Sequence, residues 1–497
     1  MTKLLKSAVA TDLDVAGIPT GLFIDGQWSE RAAKFAVSNP SDGSVVAQVS
    51  DASAEDALSA LSAAAAAQSS WRDMAPRARA NLMHRAYALM LEREELIVRT
   101  MTLESGKPLT EARAEFRLSA DFFLWFAEQV AHVHGTYATS SNGGFRVVVT
   151  HYPVGPCLLI TPWNFPLLMI VRKAGAALAA GCTVICKSAQ ETPLTCAAFV
   201  QLLQDAGFPA GVVNLLHTTT SSAISETLVR DPRLRKVSFT GSTRVGSILL
   251  QLGSENIVSS SLELGGDGPF LVLDDADIDH AVEQAIICKF RNAGQACVAA
   301  NRIIVDKRVE AEFTAKFVKQ TKALVVGDGL EPVDVGPMIS AKQRDRLYET
   351  INQLTRAGGE VLAGGRAIQR PGYFFEPTVI RFPTRNDVMC SQELFAPVAT
   401  IFAVDGVAEA VDFANDSRFG LASYVFTRDL TRAVGIGEKL EFGMVGINRG
   451  IMADPAAPFG GTKASGVGRE AGHDGIYEFL EKKYMAVTVG DLGARGA

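Results

Sequence analysis

The stretch FRNAGQACVAANR (290–302) sets Cys297 behind Gly294 and Gln295, among small residues, with Arg291 and Arg302 on either side. A thiolate attacks carbonyl carbon well, and small neighbours leave room for a substrate and for backbone amides aimed at the sulfur. The same surroundings also suit a small buried hydrophobe, the usual state of an intracellular cysteine. Glu263, in SLELGGDGPF, precedes a Gly-Gly pair that lets backbone approach closely. Its carboxylate reads either as a general base for water or as a solvated turn residue. Asn164, in TPWNFPLL, follows an apolar run. Its amide could donate to a developing oxyanion, or cap a turn ahead of Phe165-Pro166. Lys187, in VICKSAQETP, ends another apolar run, where cofactor hydroxyls or phosphates are expected. Gly241 and Ser242, in FTGSTRVG, stand where a strand gives way to a helix, a natural seat for a pyrophosphate. No GxGxxG occurs, so the common dinucleotide fingerprint names no cofactor.

The elements that must position these residues follow from periodicity. Residues 53–72 and 76–134 are alanine-rich and periodically apolar, which predicts helices, with a break at Ser105-Gly106-Lys107-Pro108. FRVVVTHYPV (145–154) alternates as an exposed strand or hairpin does. Short apolar runs at 155–163, 182–188, 211–216 and 236–241, mostly separated by helical stretches, predict βαβ units around a parallel sheet. A second series runs from PFLVLDDADID (269–279) through RIIVD, EVLAGG and ATIFAV to MVGINRG (444–450). The expectation is two α/β domains meeting near residue 263. The final run YEFLEKKYMAVTVGD (477–491) reads as an edge strand, of its own domain or added to a partner subunit's sheet.

With 497 residues, 47% hydrophobic and 21% charged, the chain has the composition of a large soluble globular protein. A net charge of −6, with no basic run interleaved with aromatics, argues against nucleic acid. No apolar run reaches the roughly 18 residues of a membrane span. MTKLLKSAVATDLDVAG lacks the apolar core of a signal peptide and reads as a short tail. The seven cysteines form no CxxC pair and no Cys/His cluster, which argues against a disulfide framework and structural zinc. A reducing, cytoplasmic setting is expected.

In order and spacing, TPWNFP, VICKSAQETP, FTGSTRVG, LELGG, FRNAGQAC, SQELFAPV and PFGGTKASGVGRE resemble the NAD(P)-dependent aldehyde dehydrogenase superfamily, over about residues 20–490. ITPWNFPLLMIVRKAGAALAAGC and KFRNAGQACVAANRI look most like its succinate-semialdehyde dehydrogenases. The resemblance implies a Rossmann-type cofactor domain (17–130 and 153–262), a catalytic domain (263–462) and a small β flap for oligomerisation (131–152 and 478–492), assembled as a homodimer or homotetramer. It implies that Cys297 is the nucleophile, Asn164 the oxyanion donor together with the Cys297 amide, and Glu263 the base for the hydrolytic water. Lys173 matches a lysine near the catalytic asparagine. Lys187 and Glu393 would contact the cofactor riboses, and Phe395 would lie near the nicotinamide. Thr161, Trp163, Gly241, Ser242 and Leu264 would lie along the cofactor path. Arg172 and Arg291 match positions that hold a substrate's distal carboxylate, with Phe165 and Phe459 beside it. A guanidinium can bind a carboxylate bidentately and so fix the distance of the aldehyde carbon.

The chain also departs from that pattern. Ala453 replaces a carboxylate-binding serine, and Arg449 stands where a small, neutral or acidic residue is usual. Arg449 therefore suggests a longer or more strongly anionic aldehyde, such as glutarate semialdehyde or a sulfonated aldehyde. ELGGDGP carries Asp267, SQELFAP carries Ala396, and no glycine occurs between Gly211 and Gly241, where the family usually has some beside the cofactor. Gln190 replaces a glutamate that would repel a 2′-phosphate, so NADP is allowed alongside NAD. Ala299 removes the second cysteine that forms a regulatory disulfide in some relatives. An aromatic-aldehyde dehydrogenase, a catalytically silent binding protein and a CoA-acylating enzyme are the competing readings; Glu263 in LELGG disfavours the last.

Overall fold

The computed structural model describes residue 15 and residues 17–383, 385 and 392–489. The expected tail before residue 15 and Cys390 lie outside the described residues.

The short apolar runs form parallel strands buried on both faces, as a sheet covered by helices on each side requires. Cys157–Ile160 is the centre of this arrangement. It pairs in parallel with Val184–Lys187 on one side and Lys236–Thr240 on the other. The full eight-stranded order runs Gly466–Val467, Ser259–Glu263, Lys236–Thr240, Cys157–Ile160, Val184–Lys187, Val213–Leu216, Leu22–Ile24, Gln27–Ser29. The helix Pro166–Ala180 that follows the central strand is buried on every side. Pro166 begins it without wasting an N–H, and Gly181 ends it in the left-handed region (φ 94°). The stretch predicted helical over 76–134 is divided into Pro76–Glu92, Glu94–Ser105 and Leu109–Gln129. The second break is the expected one, with Gly106 left-handed at φ 77°.

The strand Ser259–Glu263 belongs to the first sheet, and the second sheet begins with Phe270–Val272. Its seven strands run Glu360–Ala363, Thr378–Phe382, Val398–Val404, Arg302–Asp306, Phe270–Val272, Ala422–Phe426, Met444–Ile447. After it, the chain returns. Gly466–Val467 pairs antiparallel with Ser259–Glu263, joining Glu263 to Gly466. A third, three-stranded sheet has Arg146–Pro153 in the middle, with Thr136–Thr139 and Leu480–Val487 at its edges. The final strand thus pairs along its eight residues with its own chain; residues 490–492 of the expected flap lie outside the described residues. No helix among the described residues is long and apolar enough to cross a membrane.

Candidate active site

Cys297 follows the helix Ile278–Phe290 and a tight turn, Arg291–Gly294. Asn292 and Ala293 both adopt left-handed backbone, at φ 52° and 53°. That conformation costs a side-chain-bearing residue on the order of 1–3 kcal/mol, so the surroundings must impose it. The turn ends against packed backbone: a Cβ on Gly294 would lie 2.1 Å from the Ala396 carbonyl oxygen. Gly266 meets the loop from the other side, where a Cβ would lie 2.4 Å from the Cys297 carbonyl oxygen. The Gly-Gly pair after Glu263 therefore serves close backbone approach to the cysteine loop.

A cavity of about 380 Å³ opens at the carboxyl ends of the central strands. Asn164, Cys297, Gly241, Ser242, Leu264, Trp163, Glu393 and Phe395 all line it. Trp163 and Phe395 meet edge to face at 5.5 Å. Ser242 caps the helix Thr243–Gly253, its hydroxyl accepting from the Val245 N–H at 3.4 Å. Asn164 donates from Nδ2 to the Gln295 carbonyl at 3.1 Å, two residues before Cys297, while its Oδ1 is buried without a partner. Burial first, then the Glu393 carboxylate, pushes the Cys297 thiol up to about 12. The wall opposite was not legible in sequence. Gln343, Arg346, Leu347 and Thr350 come from one face of the amphipathic helix Ala341–Arg356, which reads as an ordinary surface helix.

Glu263 closes the strand Ser259–Glu263 and is buried, with Oε2 lacking a partner. Burial and the neighbouring Glu470 carboxylate hold it well above the ordinary carboxylate range, against Arg172, Lys173 and Arg469. Lys173 pairs with Glu470 and donates to Ser238 at 3.2 Å. Burial lowers the Lys173 ammonium, although Glu470 opposes this.

Arg172, expected with Arg291 to hold a distal carboxylate, meets an internal carboxylate instead. It is 1% exposed, pairs through Nε with Glu470 at 2.5 Å and stacks on Phe459 at 4.0 Å. Its carboxylate partner is internal, and only Nη1 is left without one. Arg291 is different. It is half-buried over the Phe165 ring at 5.3 Å and makes no salt bridge among the described residues. Arg291 is not among the residues that line the cavity, and neither is Arg449. Arg449 is exposed, donates to the Ile451 carbonyl at 3.2 Å and lines a separate depression with Ala453 and Asp454. No substrate contact at the Cys297 cavity follows for Arg449 from this placement.

The other cofactor candidates divide similarly. Glu393 is raised to about 7 by burial and accepts from the Gly266 N–H at 3.3 Å. Lys187 is buried and lowered to about 8 by desolvation, with only a 3.4 Å bond to the Ser188 carbonyl. Thr161 is buried with an unpartnered hydroxyl. Gln190 is exposed and lines a separate cleft with Glu104 and Glu191. The glycine-free loop is held by side chains instead. His217 Nδ1 lies 2.7 Å from the Ser188 hydroxyl, and Thr219 bonds to Asp51. Asp267 has a physical account as well: it is buried against Arg302 at 2.9 Å and accepts from Ser417 at 2.7 Å.

A dinucleotide fits these residues. The cavity reaches a helix N-terminus, holds the apolar pair Trp163 and Phe395, and leaves buried polar atoms at Thr240 and Asn164 without protein partners.

Residues 28–485 match the model of the aldehyde dehydrogenase family. A succinate-semialdehyde dehydrogenase of Paenarthrobacter nicotinovorans is 46% identical, over 89% of this chain and 99% of that protein. A glutarate-semialdehyde dehydrogenase of Pseudomonas aeruginosa is 41% identical, over 94% and 97%. The crystal structure of an E. coli NADP-dependent enzyme superposes with a TM-score of 0.93 at 41% identity, covering 95% of this chain and 98% of that one. The chain belongs to the aldehyde dehydrogenase family.

Proposed function

We propose that this NAD(P)-dependent aldehyde dehydrogenase oxidises succinate semialdehyde to the dicarboxylic acid through a thioester on Cys297. The observation that carries the reading is the meeting of the Cys297 thiol and the Asn164 amide in one cavity. The sulfur adds to the aldehyde carbon as the thiol gives up its proton to water in the cavity, which passes it to solvent. The negative charge that develops on the oxygen is stabilised by the Asn164 amide and the Cys297 backbone N–H. Loss of hydride leaves the thioester, and water activated by Glu263 hydrolyses it, freeing the acid and the thiol. Burial makes Glu263 avid for protons, which suits a base. NAD(P)+ supplies the hydride acceptor when bound; Lys187, Glu393, Gly241, Ser242, Leu264, Thr161, Trp163 and Phe395 would hold it. The uncharged Gln190 is compatible with either cofactor.

Arg291, half-buried and without a salt bridge, takes the distal carboxylate. Arg172 contributes at most Nη1, since Glu470 occupies its Nε. Because Arg449 lies in a separate depression, it gives no reason to prefer a longer substrate. Arg449→Ala should leave the ranking of semialdehydes unchanged. The chain assembles as a homodimer or homotetramer through its three-stranded sheet, where Tyr137 is 71% and Tyr484 57% exposed.

The test is a comparison of NADH and NADPH formation with succinate semialdehyde, glutarate semialdehyde, an uncharged aliphatic aldehyde and benzaldehyde. Succinate semialdehyde should give the highest kcat/KM. A win for either uncharged aldehyde would remove the carboxylate site and leave only the family chemistry.

A further inference from the structure

The cysteine loop is tied to a helix that the chemistry has not yet used. Helix Leu109–Gln129 sends two carboxylates towards the loop from one face, Glu111 and Glu115, spaced four residues apart. Glu115 is buried with Lys107 at 2.5 Å, and its other oxygen accepts from the N–H groups of Leu167 (3.0 Å) and Leu168 (3.2 Å). It thereby fixes the start of the helix that follows Asn164. Lys107 also donates to the Asn164 carbonyl at 2.7 Å. Glu111 reaches the other partner. Its Oε2 accepts from the Asn292 N–H at 2.8 Å, the first left-handed residue of the turn. Asn292 then donates from Nδ2 to the Asn164 carbonyl at 3.0 Å and to the Gln295 carbonyl at 3.2 Å. The Asn164 amide donates to that same Gln295 carbonyl.

The strained turn therefore stands between the two groups that must face one aldehyde. Local bonds hold the far side of the turn, where the Gln295 N–H and Nε2 both donate to the Asn292 carbonyl at 3.0 Å, but they leave the Asn292 N–H to a partner outside it. A backbone N–H there needs an acceptor, and Glu111 is the one it has. We propose that Glu111 is a positioning residue: by accepting from the Asn292 N–H it holds the turn that sets the Cys297 sulfur relative to the Asn164 amide. This rests on the reading of Cys297 and Asn164 given above. Glu111 itself is not among the residues that line the cavity. Misplacing reacting groups by about 1 Å costs about 100-fold in rate without weakening binding.

Three substitutions separate this role from simple support of the fold. Glu111→Gln keeps an acceptor oxygen at the same reach, Glu111→Asp withdraws it by one methylene, and Glu111→Ala removes it. Expected is a kcat loss of about 100-fold in Glu111→Ala and at least about tenfold in Glu111→Asp, with KM for aldehyde and cofactor within about twofold. Glu111→Gln should retain kcat within about fivefold. The rate of Cys297 alkylation by iodoacetamide in the cofactor-free enzyme should change in Glu111→Asp but not in Glu111→Gln. If Glu111→Ala does not fold, the Asp and Gln pair decides alone. Equal kcat in those two variants, or a loss expressed only in KM or in the unfolding midpoint, would overturn the proposal. Cys297→Ala runs beside them. If it stays active, the reading of the nucleophile fails; if it is inert while Glu111→Asp is fully active, only the positioning role fails.

Discussion

Cys297 is only half-buried, yet desolvation and the Glu393 carboxylate both oppose its thiolate. With the thiol pushed up to about 12, alkylation of the cofactor-free enzyme should rise close to tenfold per pH unit from pH 7 to 10. A plateau near pH 8.5 would mean the sulfur is not desolvated as described. The two arginines separate by the same physics of burial. Arg291→Gln should lower kcat/KM for succinate semialdehyde by roughly 10- to 100-fold, the loss of a charge-assisted hydrogen bond of about 1.5–3 kcal/mol. Rates with an uncharged aldehyde, and the unfolding midpoint, should hardly move. Arg172→Gln should instead destabilise the protein by about 3 kcal/mol or more, because it breaks a buried pair with Glu470. Denaturant titration distinguishes them. Cys297, Asn164, Glu393 and Phe395, far apart in sequence and singled out by their local motifs, line one cavity. The internal pairing of Arg172 was not legible, because its partner Glu470 lies 298 residues away in sequence. Asp267 makes the same point. Its partners Arg302 and Ser417 give it a reason that no local reading could supply.

At the level of elements, period and punctuation were legible because they are local. The parallel strands and the break at Gly106 follow from short apolar runs ended by Gly, Pro or Ser. The return of Gly466–Val467 to the first sheet was not legible, because two residues carry no periodic signal. Nor was the contribution of helix Ala341–Arg356 to the cavity wall, since a polar face looks the same over solvent as over a ligand. Strand ends place costly groups where a ligand can use them, and Lys187 is the example. Its ammonium falls from 10.5 to about 8 through desolvation, a cost on the order of 3 kcal/mol at neutral pH. A lysine lowered in the folded state makes stability rise with pH between about 8 and 10.5, where only the unfolded chain keeps the proton. Lys187→Met should therefore raise the unfolding midpoint at pH 7 while weakening cofactor binding. Calorimetry and a cofactor titration check both halves; a destabilised variant would show that Lys187 is better solvated than its burial implies.

Across the whole molecule, the two large sheets meet around the cavity, and the cysteine loop joins contributions from both. Helix Leu109–Gln129 bonds to the Asn164 turn through the buried Lys107 and Glu115 and to the loop at 291–297 through the half-buried Glu111. The three-stranded sheet leaves Tyr484, Met485 and Val487 exposed along an edge strand, and the assembly proposed above places a second copy there. Met485→Lys should shift the protein towards smaller species in light scattering, with the fold retained. The most direct test of the central account is to trap the covalent intermediate. In Glu263→Gln, mixing with succinate semialdehyde and cofactor should give a burst of about one reduced cofactor per chain. Mass spectrometry after an acid quench should find one succinyl group, on the peptide that contains Cys297. Steady turnover without an adduct, or an acyl group on any other cysteine, would contradict the assignment of Cys297 as nucleophile and Glu263 as the base that releases it.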